Sequence, residues 1–96
     1  KRLARLWWAI RTNIPAAFIE PNRYLIQRTA GIFVFNFFLA PGILSKNKDR
    51  ELINAVKGIK KLGSDFWKRS NKRGARKFGT GMGGYSNLAS HIKSYL

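Results

Sequence analysis

Residues 29–44 read TAGIFVFNFFLAPGIL, sixteen positions without a charge in a chain of formal net charge +15. A run this apolar has to leave water, either into a protein interior or into a bilayer. Its densest part, from Ala30 to Leu39, is short enough for an ordinary core helix. Tyr24, Leu25 and Ile26 before it and Ile43 and Leu44 at its end lengthen the apolar stretch. As a helix, residues 24–44 would cover roughly 31 Å at ~1.5 Å per residue, close to the thickness of a hydrocarbon core. A single transmembrane helix over residues 23–45 is therefore expected.

The charges lie on both sides of this run. Of nineteen Lys and Arg and four Asp and Glu, the flank 1–28 carries a net +5 and the flank 46–96 a net +10. A chain so basic calls for polyanionic company: anionic lipid headgroups, nucleic acid or acidic partner proteins. Thirteen aromatic residues, three Trp and seven Phe among them, favour lipid or other subunits over RNA. With no cysteine, a disulfide framework or thiolate metal site is excluded.

Arg23 and Arg28 on one side of the run, and Lys46, Lys48 and Arg50 on the other, stand where phosphate headgroups would sit. Trp7, Trp8 and Tyr24 are candidates for an interfacial aromatic belt. Asn36 falls near the middle of the run. An amide at that depth needs a hydrogen-bonding partner, which a neighbouring helix would supply, the alternative being its own helix. Pro41-Gly42 falls in the last turn, where a kink or stop costs little.

Residues 1–22 open with Leu3, Leu6, Trp7 and Ile10 on one helical stripe, an amphipathic helix suited to a membrane interface or to a partner subunit. Pro15 and Pro21 should end it near Asn13 and impose a turn. In residues 46–68, Asn47 reads as an N-cap, with Asp49 and Glu51 in the first turn. Leu52, Val56, Ile59, Leu62 and Phe66 then recur at helical spacing, predicting a basic amphipathic helix from about Lys48 to Trp67. Residues 69–96 begin with a Lys, Arg, Ser, Asn and Gly-rich segment. They read as an extended arm ordered only by an acidic surface, with a short helix after Ser86. The fold class expected is all-α: one span, flanking amphipathic helices and an extended Gly-rich arm, without an independent globular core.

No catalytic constellation emerges. Gly79 to Gly84 spell G-x-G-x-x-G, but a basic segment precedes them and the chain ends twelve residues later, so a loop is the better reading than a dinucleotide site. His91 is the sole histidine and has no neighbouring carboxylate or Cys with which to hold a metal or relay a proton. Neither an enzyme nor a cofactor is expected, bound anionic lipid such as cardiolipin apart.

Small, basic, single-span chains without redox residues resemble in kind the supernumerary subunits of respiratory complexes and ATP synthase. The resemblance rests on size, charge and layout. It implies a non-catalytic accessory subunit that contacts neighbouring subunits and anionic phospholipid. Residues 1–14, arginine-rich and acid-free, have the composition of an organelle import segment, which points to the mitochondrial inner membrane. The more basic C-terminal flank would face the matrix. An organellar ribosomal or RNA-binding protein is the alternative, which the net charge fits and the apolar run does not. A cationic membrane-active peptide is the third reading.

Overall fold

The computed structural model describes residues 2–79 and 81–96. The charge-free run forms a continuous helix, Thr29–Lys46, with a mean hydropathy of 1.4. Among the described residues it is the one helix long and apolar enough to cross a membrane, by length and composition. It is not α-helical throughout. Pro41 lacks an amide hydrogen, and its ring presses on the carbonyl four residues back, that of Phe37. The turn ahead of it widens accordingly: Val34–Leu39 is π-helical, with the Ala40 N–H donating to the Phe35 carbonyl. The wider turn shifts the faces of the helix. Val34, Phe35 and Leu39 point into the interior, whereas Ile32, Phe37 and Phe38 are exposed.

The N-terminal helix, Arg2–Asn13, packs along this central helix. Leu6, Ala9, Ile10 and Asn13 form its buried face. It ends where Pro15 requires. There the Asn13 amide donates to the carbonyls of Ala9 (2.9 Å) and Ile53 (3.1 Å), closing its own helix and fastening it to the next layer. A short helix, Ala16–Ile19, and a turn, Pro21–Arg23, lead back to the start of the central helix.

The single amphipathic helix expected over residues 48–67 is instead four short pieces: Asp49–Glu51, Leu52–Ala55, Ile59–Leu62 and Ser64–Trp67. The hydrophobic spacing still does its work, since Leu52, Val56, Ile59, Phe66 and Trp67 are all buried. Glycine sets the breaks. Gly63 has φ of 74°, a left-handed conformation that ends the helix before it. At Gly58 a Cβ atom would overlap the Tyr95 carbonyl, so the C-terminal backbone crosses directly over this position. Asn47 does not cap the following turn. It terminates the central helix, its side-chain amide donating to the Ile43 carbonyl at 2.9 Å. Lys48 takes the N-cap position, and its N–H donates to the Glu51 carboxylate at 3.1 Å.

Residues 69–96 are not an extended arm. They form a 3₁₀ turn, Ala75–Phe78, and a twelve-residue helix, Met82–Lys93. Tyr85, Leu88, Ala89 and Ile92, at spacing i, i+3, i+4 and i+7, make a buried stripe that packs on the π-helical turn. The preceding lysines, arginines and glycines mask that stripe when the segment is read by composition. The helix also starts earlier than Ser86 suggested.

A globular core is therefore present, contrary to expectation. Phe35 and Trp67 are its largest fully buried side chains, with ring centroids 5.8 Å apart. The radius of gyration, 12.2 Å, matches the about 12.5 Å of a compact domain of this length. Among the described residues no strand forms; an isolated antiparallel bridge joins Tyr24 to Lys68. The indole N–H of Trp67 has no partner in this core.

Candidate functional site

Two features set this surface apart: an exposed apolar face on the central helix and basic groups at both of its ends. Phe37 and Phe38 lie in the π-turn, and Ile32 lies in the α-helical turn before it. Phe37 is 63% exposed, and Ile32 and Phe38 lie on the surface with it. Phe37 stacks on Phe33 (centroids 5.1 Å apart), and Phe33 stacks on Tyr85 (5.4 Å), so the exposed ring stands on a rigid aromatic column. Burying such rings in an apolar partner removes them from water.

Asn36 meets a partner inside the chain. Its Oδ1 accepts a hydrogen bond from the Trp7 indole N–H at 2.8 Å, joining the central and N-terminal helices. The helix expected to satisfy this amide is the chain's own first helix. Trp7 is thereby drawn inward, packing edge-on against Phe35 (5.3 Å) and Phe18 (6.2 Å). Tyr24 is buried as well, so of the three aromatics expected at an interface only Trp8 is exposed, at 58%. Residues on the core-facing stripe of an amphipathic helix cannot also line its outer face, and composition alone does not separate the two.

The basic residues divide between the two ends of the central helix. At its C-terminal end Lys46, Lys48 and Arg50 are exposed. Arg2 joins them, donating to the carbonyls of Leu44 (2.7 Å) and Asn47 and pairing with Asp49 at 2.9 Å. Arg5 also approaches Asp49, at 3.4 Å. At the N-terminal end Arg28 precedes the helix and donates to the Asn22 side chain at 3.4 Å, while Arg23 pairs with Glu20 at 3.4 Å. Sequence reasoning missed the groups that join them there. The Arg69 N–H donates to the Arg23 carbonyl at 2.8 Å, bringing Lys68, Arg69 and Arg76 to this end across more than forty residues of chain. The Lys68 ammonium is held above its ordinary range by its hydrogen bond to Asp65 and by that carboxylate's charge, with Tyr24 contributing less.

Among the described residues no group of three His, Cys, Asp or Glu side chains gathers to hold a metal. His91 packs between Phe66, Phe78 and Tyr95, with centroids 5.7, 5.4 and 5.4 Å away, in an aromatic cluster and not beside an acid. Of the G-x-G-x-x-G stretch, Thr80 lies outside the described residues; Gly81, with φ of 92°, starts the C-terminal helix. Comparison with known protein families, curated proteins and solved structures finds no match, and a functional reading rests on this geometry.

Proposed function

We propose that the chain is a non-catalytic accessory subunit of a multi-subunit membrane assembly. Its central helix lies at the bilayer, and its basic ends meet anionic headgroups. The observation that carries this is the exposed face of Ile32, Phe37 and Phe38 between two cationic ends of one apolar helix. Ala30, Phe33, Ile43 and Leu44 of this helix pack against the chain's own core, while Ile32, Phe37 and Phe38 remain exposed and leave apolar surface to be covered by lipid or by other subunits. Eighteen helical residues reach about 27 Å, enough to bring Arg28 and Lys46 near opposite headgroup layers. In this reading Lys46, Lys48 and Arg50 hold one layer and Arg23 and Arg28 the other. The mitochondrial inner membrane, with the C-terminal flank toward the matrix, is the setting that the basic, acid-free N-terminus and the charge asymmetry favour. A respiratory complex or ATP synthase would be the host.

One observation favours a second reading, an RNA-binding protein: the convergence of Arg23, Arg28, Lys68, Arg69 and Arg76 at one end of a compact fold. Washing native membranes with alkaline carbonate and high salt separates the two. A subunit held by its apolar face stays in the pellet and co-purifies with membrane proteins in mild detergent. An RNA binder is extracted, and its association with particles is lost on nuclease treatment.

A further inference from the structure

An open cleft of about 640 Å³ lies at the N-terminal end of the central helix, with Arg69, Arg76 and Ser70 on its walls and Leu25, Ala30 and Ala75 beside them. Arg69 donates to the Asn22 carbonyl (3.1 Å) and Arg76 to the Arg69 carbonyl (3.2 Å). These bonds fix both guanidinium groups in place and leave most of their five N–H donors free. Neither group has a carboxylate partner among the described residues, unlike Arg23 and Lys68, which pair with Glu20 and Asp65. A second cleft of about 400 Å³, rimmed by Arg23 and Lys68, adjoins the first through the shared Arg69 and Ser70. The central helix adds its own positive end here, since no side chain caps its first N–H groups.

We propose that this cleft binds the phosphate of an anionic phospholipid headgroup, with Arg69 and Arg76 as its ligands. The inference deepens the membrane reading above and rests on it. Planar guanidinium forks match phosphate oxygens two at a time. Leu25, Ala30 and Ala75 give the phosphate an apolar neighbour, which a lipid backbone occupies and a sugar–phosphate chain does not need. Sites for single-stranded nucleic acid typically add exposed rings on which bases stack. Here Tyr24 is buried, and Phe78 is half-buried against His91.

The test is co-sedimentation of the full chain with vesicles of phosphatidylcholine alone and of phosphatidylcholine mixed with phosphatidylglycerol, beside binding to a short single-stranded RNA. Three variants are compared with the parent: Arg69→Gln with Arg76→Gln, Ser70→Glu, and Lys57→Gln with Lys60→Gln as a charge-matched control elsewhere on the surface. Among the described residues no side-chain hydrogen bond involves Ser70, so Ser70→Glu places a carboxylate in the cleft at a position that is open to solvent. It carries the test should the arginine pair prove necessary for folding. The expected result is a loss of roughly tenfold or more in affinity for the mixed vesicles in both cleft variants, and about twofold or less in the control. An equal loss in the control overturns the cleft in favour of diffuse attraction. Unchanged vesicle binding with lost RNA binding overturns it in favour of nucleic acid. Unchanged anionic binding in Ser70→Glu removes the cleft but leaves the membrane reading standing, whereas a parent chain that binds neither vesicle removes both.

Discussion

The Trp7 indole donates to Asn36 Oδ1 at 2.8 Å, so the most polar side chain of the apolar run is held by the amphipathic helix that precedes it. The pair fixes how the two helices meet. Asn36 lies in the π-turn between Phe35, which faces inward, and Phe37, which faces outward.

Breaking this bond should cost stability. Asn36→Leu leaves a half-buried indole N–H without an acceptor, and a loss of about 1–2 kcal/mol is expected in urea unfolding. Trp7→Phe removes the donor and some packing. A double-mutant cycle should return a coupling of about 0.5–1.5 kcal/mol, and a coupling of zero would remove the bond from the account.

Gly58 and Gly42 should respond to alanine in opposite directions. At Gly58 the new Cβ meets the Tyr95 carbonyl, and a loss of about 1–3 kcal/mol is expected as the C-terminus is displaced. At Gly42, in the central helix, nothing lies within 4 Å of the added atom. Gly42→Ala should raise stability by about 0.5–1 kcal/mol. Thermal or urea unfolding of the two variants side by side reads the difference.

Trp67 fills the core but leaves its N–H unpaired. Trp67→Phe gives up some contact area and also removes that unsatisfied donor, so a loss of under about 1.5 kcal/mol is expected. Trp67→Ala opens a cavity beside Phe35 and Phe66 and should cost about 3–5 kcal/mol, enough to unfold much of a small domain.

Replacing Lys46, Lys48 and Arg50 by Gln should lower the anionic lipid retained by the purified protein, by about 1 kcal/mol of binding per charge. Lipid analysis after detergent extraction gives the measurement. Unchanged lipid content would take the C-terminal end of the central helix out of the headgroup role.

Much of this architecture is legible in the sequence because apolar spacing survives folding. The central helix, the stop at Pro15 and the buried set Leu52, Val56, Ile59 and Phe66 all follow from it. What is lost is tertiary. The helix expected over 48–67 breaks because Gly63 adopts a left-handed conformation and Gly58 yields space to Tyr95, and neither requirement leaves a trace in the local pattern. The supposed arm folds because the stripe Tyr85, Leu88, Ala89 and Ile92 finds the π-turn to pack against, which the surrounding glycines and cations obscure. Arg69 and Arg76 reach the Arg23 end through backbone pairing between residues 23–25 and 67–69, including the bond from the Arg69 N–H to the Arg23 carbonyl, so the basic cleft exists in three dimensions and not along the chain.

The absence of cysteine makes the most direct test simple. A nitroxide attached through Phe37→Cys, and another through Lys60→Cys, reports in vesicles containing phosphatidylglycerol whether each position meets oxygen or a water-soluble nickel chelate. The account predicts a label at position 37 that is shielded from nickel and accessible to oxygen, and a label at position 60 with the reverse pattern. Equal, water-like nickel accessibility at both positions would contradict it.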